Sequence, residues 1–211
     1  QHRSIKAGLN IILTDYSNPY WYDWFLPTGD LRDQPSSAGR ADIIVVTKCP
    51  DTLTEATKNK LINKINPLPA QQVFFTSLAY GTPVHIVTGA PFLLQKQAQV
   101  LLVCGIANPA PLKAYLEQNT AEYHQLSFTD HHIFSIDDLR MMQEKFSAME
   151  GEQKIILTTE KDAVRLMKFG SELNSLPLYI QPVKHQVMFG EEVKFKSSMY
   201  SYIAKHANST Q

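Results

Sequence analysis

The side chains able to do chemistry sit in short polar segments that follow apolar runs. Asp130-His131-His132 comes after Phe128-Thr129 and sets an acid beside two imidazoles. An imidazole with its ordinary pKa of about 6.5 exchanges a proton near neutrality, and a neighbouring charge tunes it. Such a trio can serve as acid–base machinery, or Asp130 can cap a turn while both histidines stand in solvent. Thr158-Thr159-Glu160-Lys161-Asp162 follows Ile155-Ile156-Leu157. Its hydroxyls and Lys161 can meet a ligand, or Thr159 and Asp162 can cap a helix. Gly105-Ile106-Ala107-Asn108-Pro109 follows Val100 to Cys104, and Thr47-Lys48-Cys49-Pro50-Asp51 follows another apolar run. Open α/β sheets bind ligands in the crevice outside the carboxyl ends of their strands, so polar residues gathered there mark where function is to be sought.

The elements that must position these segments follow from pattern. Apolar, β-branched runs bounded by turn residues predict strands at 9–13, 43–47, 72–76, 84–88, 100–104, 123–128, 155–158 and 178–182. Helical spacing lies between most of them. Asp51 is placed to cap a helix carrying Leu53, Ala56, Leu61 and Ile65, and Asn108 with Pro109 opens the next. Ser135 with Asp138 resembles a capping box ahead of Leu139, Met142 and Phe146. A final helix is expected over 195–207, packing back on its own domain. Strands alternating with helices predict a mostly parallel, layered α/β sheet in one domain over 1–211, with 72–76 and 84–88 forming a hairpin or an edge excursion.

Composition narrows the partners. Twenty basic residues balance twenty acidic ones, which removes the charge footprint of a nucleic-acid binder. Two cysteines without a Cys-x-x-Cys spacing support neither a disulfide framework nor a structural zinc site and suit a reducing compartment. Any membrane contact is expected to be peripheral, since no apolar stretch approaches the roughly 18 residues that a span requires. The segment from Tyr16 to Phe25 holds six aromatics in ten residues, Trp21 and Trp24 among them. Aromatic rings with polar tips suit a membrane interface, and burial against the sheet explains them equally well.

Several segments together resemble the tetraacyldisaccharide 4′-kinase family, the lipid A kinases of Gram-negative bacteria. Gln1-His2-Arg3 matches the end of the family's Asp-Asp-x-Phe-Gln-His-Arg, and Leu26-Pro27-Thr28-Gly29-Asp30-Leu31-Arg32 matches its Leu-Pro-x-Gly-x-Leu-Arg. Ala41-Asp42 through Thr47-Lys48, Gly105 to Pro109, Phe128-x-Asp130-His131-His132 and Thr158 to Asp162 follow in the family's order. Between Tyr20 and Phe25 the chain departs from the Gly-Asn-Gly of many members.

The resemblance implies an α/β fold of P-loop-kinase type. It implies transfer of the ATP γ-phosphoryl group to the 4′-hydroxyl of an acylated disaccharide lipid, at the cytoplasmic face of the inner membrane. His131, with Asp130, would support a carboxylate base; Thr47, Lys48, Thr159 and Lys161 would face the nucleotide. Gln1, His2, Arg3 and Arg32, with Trp21 and Trp24, would meet the substrate. None of the nine glycines precedes a lysine, so the chain holds no G-x-x-x-x-G-K-[ST] phosphate loop. The sheet is therefore expected to be incomplete at its N-terminus, with the P-loop half and the principal ATP and Mg²⁺ ligands upstream of Gln1, and the fragment inactive alone.

Two rival readings stand beside this one. Asp-His-His after an apolar run is also the signature of a manganese-dependent phosphoesterase family, for which only Asp15 is a well-placed additional acid. The other rival is a non-catalytic lipid- or membrane-docking module. Lys48 with Asp51 loosely resembles the base-reading segment of GTP-binding proteins at a spacing one residue too long, and a snorkelling lysine beside a capping aspartate accounts for it equally.

Overall fold

The computed structural model describes residues 8–23, 28–29, 31 and 33–207, the side chains of 205–207 excepted. The elements are β1 (Ile11–Asp15), β2 (Ile43–Cys49), α1 (Glu55–Ile65), β3 (Gln72–Tyr80), β4 (Val84–His85), β5 (Gln99–Cys104) and α2 (Ala110–Asn119). They continue with β6 (Glu122–Ser127), α3 (Ile136–Ala148), β7 (Lys154–Thr159), α4 (Glu160–Leu166), β8 (Leu178–Gln181), β9 (Val183–Val187) and α5 (Glu192–Ala207). Where the sequence pattern suggested one domain, the chain divides into two compact units. One takes the stretch up to Ala79 and resumes at His185; the other is Tyr80–Lys184.

The first unit holds a four-stranded sheet in the order β1-β2-β3-β9, with β1, β2 and β3 parallel. Successive side chains of a strand point to opposite faces, so the unbroken apolar run of β2 serves both. Ile44 and Val46 pack with Phe75 and the Leu61, Ile62 and Ile65 face of α1. Ile43 and Val45 pack with Phe74 on the other face, where Phe195 of α5 meets the Phe74 ring edge-on at 5.0 Å. The C-terminal helix thus packs back on its own unit, beginning three residues before its expected start. Thr54, rather than Asp51, caps α1, accepting from the Thr57 amide at 3.3 Å. The Leu53 amide donates to the Pro50 carbonyl at 2.9 Å, so Asp51 sits inside a turn and the helix opens later than the acid suggested.

The second unit holds the order β4-β8-β7-β5-β6, parallel except for β4. Central β5 and β7 are buried on both faces. Leu101, Val103 and Ile156 pack with Leu139 and Met142 of α3 and Ala163 and Leu166 of α4, whereas Val100, Leu102 and Leu157 pack with Leu112 and Leu116 of α2. Helices therefore cover both faces, and the strand order reverses beside β5, where such sheets open a crevice at the strand ends. The expected hairpin does not form, because β3 and β4 lie in different sheets. β4 is an antiparallel edge strand on β8, which is the excursion form of that expectation. Among the described residues no helix is long and apolar enough to cross a membrane.

Candidate active site

Three strand ends of the second unit bring the sequence-predicted residues together. After β6 the chain turns through Asp130, whose Oδ1 accepts from the His131 amide at 2.9 Å and from Lys161 Nζ at 2.9 Å. His131 stands at φ 63°, a left-handed conformation that a non-glycine residue keeps only when its surroundings hold it there. Its imidazole projects into solvent with Nε2 3.5 Å from Asp130 Oδ2. After β7, Thr159 caps α4 by accepting from the Asp162 amide at 3.1 Å, and its own hydroxyl donates to Asp162 Oδ2 at 2.8 Å. After β5, the Gly105 amide donates to the same Asp162 Oδ2 at 3.0 Å. Glycine eases this approach, since a Cβ at 105 would lie a tight 3.0 Å from the Thr129 carbonyl oxygen and 3.4 Å from the His132 and Phe128 Cβ atoms, and the Thr129 backbone would have to give.

His132 behaves differently from His131. Its ring stacks on Phe128 at 4.4 Å and meets Phe134 edge-on at 5.0 Å, and its Nε2 lies 2.9 Å from Asp138 Oδ2. Asp138 also accepts from the Ser135 amide and hydroxyl, closing the expected capping box of α3. The second imidazole is therefore built into the fold, and the first is presented to solvent. Sequence reading passed over Arg165, whose Nη1 donates to Asp162 Oδ1 at 3.0 Å and whose Nη2 lies 3.1 Å from His131 Nδ1. Its only signal was the i, i+3 spacing from Asp162 on one helix face.

Two carboxyls of this unit are acidified. The Lys161 hydrogen bond lowers the Asp130 pKa; burial works to raise that of Asp138, but hydrogen bonds from His132 and Ser135 outweigh it and the net shift is downward. Both groups bind protons more weakly when folded than an unfolded Asp near ~3.9, so the stability they add is present above that pH and drains away as pH falls through their depressed values. A lower melting temperature at pH 3 than at pH 7 is expected, and the Asp138→Asn chain should lose less between the two.

Thr47 and Lys48 belong to the first unit, at the end of β2. Lys48 sits at φ 56° in an irregularity of that strand and donates to Asp15 Oδ2 at 2.6 Å, and Thr47 Oγ1 donates to the Thr14 carbonyl at 3.1 Å. Burial works to raise the Asp15 pKa, but hydrogen bonds from Lys48 and from the Ser17 side chain and amide bring it below the ordinary value. Both threonine hydroxyls expected at the nucleotide, Thr47 and Thr159, thus already donate within the protein. The two lysine side chains, each ion-paired, stay somewhat under half exposed, at 43% and 44%.

Trp21 corrects an expectation. Its ring packs against the cluster of Ile44, Val46 and Phe75, edge-on to Tyr20 at 5.2 Å, with its indole nitrogen buried. The aromatic density that suggested an exposed bilayer contact serves at Trp21 to cover the sheet. Trp21→Ser should cost about 2 kcal/mol of stability, less than a fully buried tryptophan, and leave vesicle binding unchanged; denaturant melts beside vesicle sedimentation check both. Gln1, His2, Arg3, Trp24 and Arg32 lie outside the described residues.

The sequence and the fold have counterparts among known proteins. The family model described as LpxK, tetraacyldisaccharide-1-P 4′-kinase, matches residues 1–204. The chain belongs to that kinase family. Among its relatives, the tetraacyldisaccharide 4′-kinase of Bacteroides thetaiotaomicron is 35% identical over 224 residues, covering 100% of this chain and 59% of that protein. That of Flavobacterium johnsoniae is 40% identical over 195 residues, covering 90% of this chain and 54% of that protein. LpxK from Aquifex aeolicus, solved in complex with ATP, superposes with a TM-score of 0.60 at 22% identity over 96% of this chain and 55% of that one, a likeness of fold. The chain thus spans a little over half the length of the kinase-family proteins it matches.

Proposed function

We propose that the chain forms the part of a tetraacyldisaccharide 4′-kinase that presents His131 to the reacting hydroxyl. In this reading the 4′-oxygen of an acylated glucosamine disaccharide attacks the γ-phosphorus of ATP, ADP departs, and a carboxylate base supported by His131 takes the hydroxyl proton. The observation that carries it is the solvent-facing imidazole of His131, held beside Asp130 at the strand-end crevice, in a chain of this family.

ATP supplies the transferred phosphoryl group, and Lys48 and Lys161 are the cationic side chains of the expected set, each partly exposed and paired with a carboxylate. The phosphate loop is assigned to the portion of the relatives outside the matched region, since the 211 residues hold no G-x-x-x-x-G-K-[ST]. No group of three or more His, Cys, Asp or Glu among the described residues could hold a metal ion by itself, and Mg²⁺ arriving on ATP would be held mainly by the phosphates and water. The same observation disfavours the manganese phosphoesterase: Lys161 binds Asp130, Arg165 faces His131 Nδ1 and Asp138 binds His132, so cations or protons occupy the lone pairs such a metal would need. An acylated substrate places the enzyme at the cytoplasmic face of the inner membrane in this reading.

The test is direct. The isolated chain, given ATP, Mg²⁺ and a tetraacyldisaccharide phosphate, is expected to form no 4′-phosphorylated product, and the full-length enzyme is expected to form it. Robust phosphorylation by the isolated chain would overturn the division of parts.

A further inference from the structure

His131 has an exposed ring, with its side chain 74% accessible, so no wall of packed atoms sets its orientation. What touches the ring is polar, and the contact at Nδ1 leads inward. Arg165 Nη2 lies 3.1 Å from that nitrogen, and a guanidinium can only donate, so Nδ1 is the acceptor and the ring proton resides on Nε2. The same guanidinium donates through Nη1 to Asp162, whose side chain is 0% exposed and whose other oxygen is filled by the Gly105 amide and the Thr159 hydroxyl. A planar fork fixed at one tine has little freedom at the other.

We propose that Arg165, anchored by the buried carboxylate of Asp162, is the positioning residue of His131, setting both the tautomer and the direction of its ring. The Thr158-Thr159-Glu160-Lys161-Asp162 segment then acts through His131, where the sequence suggested contact with the nucleotide. Its consequence for phosphoryl transfer rests on the kinase reading; the tautomer itself does not. Lysine cannot replace the arginine, because a single ammonium is a point donor and does not form two parallel bonds in fixed geometry.

Ring-¹⁵N NMR of the histidine-labelled chain tests the first part, with His131→Gln assigning the signal. The wild type is expected to show one population with the proton on Nε2. Arg165→Met and Arg165→Lys, each verified as folded by its amide spectrum, are expected to move the ring nitrogens toward the averaged values of a free imidazole. An unchanged His131 signal in a folded variant overturns the proposal. In the full-length kinase, Arg165→Met is expected to lower kcat about 10- to 100-fold with KM for ATP within about twofold, and to add nothing on a His131→Ala background. A raised KM for ATP with an undisturbed tautomer would make Arg165 a phosphate contact and sink the positioning role. If His131→Ala leaves kcat intact while the tautomer still depends on Arg165, the kinase reading fails and the positioning stands.

Discussion

Replacing His131 by alanine in the full-length enzyme is expected to lower kcat by about 10²- to 10⁴-fold, the range for losing acid–base assistance, with little change in melting temperature. The imidazole stands in solvent, so removing it opens no cavity; what is lost is a proton acceptor or its support. His132→Ala is expected to behave in the opposite way. That ring is stacked on Phe128, packed against Phe134 and bonded to the capping Asp138, so its loss should cost about 1–3 kcal/mol of stability while each folded molecule retains most of its kcat. Steady-state kinetics and thermal melts on the two variants separate the roles, and equal, small effects on kcat would return the whole Asp-His-His segment to a structural part.

The largest loss of stability in the second unit should follow Asp162→Ala, at about 3–5 kcal/mol, because breaking a buried ion pair leaves its partner uncompensated. The carboxylate is fully buried and serves three donors at once: the Gly105 amide after β5, the Thr159 hydroxyl at the end of β7, and Arg165 on α4. Alanine strands each of these donors in a place that water reaches poorly. Asp162→Asn keeps one acceptor oxygen and the shape of the side chain, so it should recover part of the loss. Urea melts monitored by circular dichroism give both values, and an alanine variant within about 0.5 kcal/mol of the parent would remove Asp162 from its central place.

Much of this architecture was legible because parallel strands buried on both faces leave long apolar runs, as in Val100 to Val103 and Ile155 to Leu157. β9 escaped notice because Val183-Lys184-His185-Gln186-Val187 is polar and mostly exposed, so its strand character comes from its neighbour in the sheet rather than from burial. The capping residues Ser135 and Thr159 were readable from local spacing, and Asp51 misled because a second capper, Thr54, follows it closely. Trp21 was ambiguous in kind, since aromatic density describes a core edge as well as it describes a membrane contact. The link from Asp162 through Arg165 to His131 was out of reach for a different reason. It depends on a Gly105 amide far away in sequence burying the carboxylate, and local pattern does not carry tertiary contacts of that sort.

The caps of α3 and α4 have an electrostatic consequence for the crevice. The first amides of a helix and the positive end of its dipole ordinarily attract anions, and phosphate-binding folds leave them open for that purpose. Here each helix gives its third amide to a hydroxyl, that of Ser135 at one start and of Thr159 at the other, and the residue that carries that amide, Asp138 or Asp162, sets its own carboxylate beside the cap. An anion approaching these two helix starts would share each of them with a resident carboxylate, whereas an uncharged sugar hydroxyl would meet no such repulsion. In the proposed kinase reading, the caps make this face a better neighbour for the acceptor hydroxyl than for the polyanion.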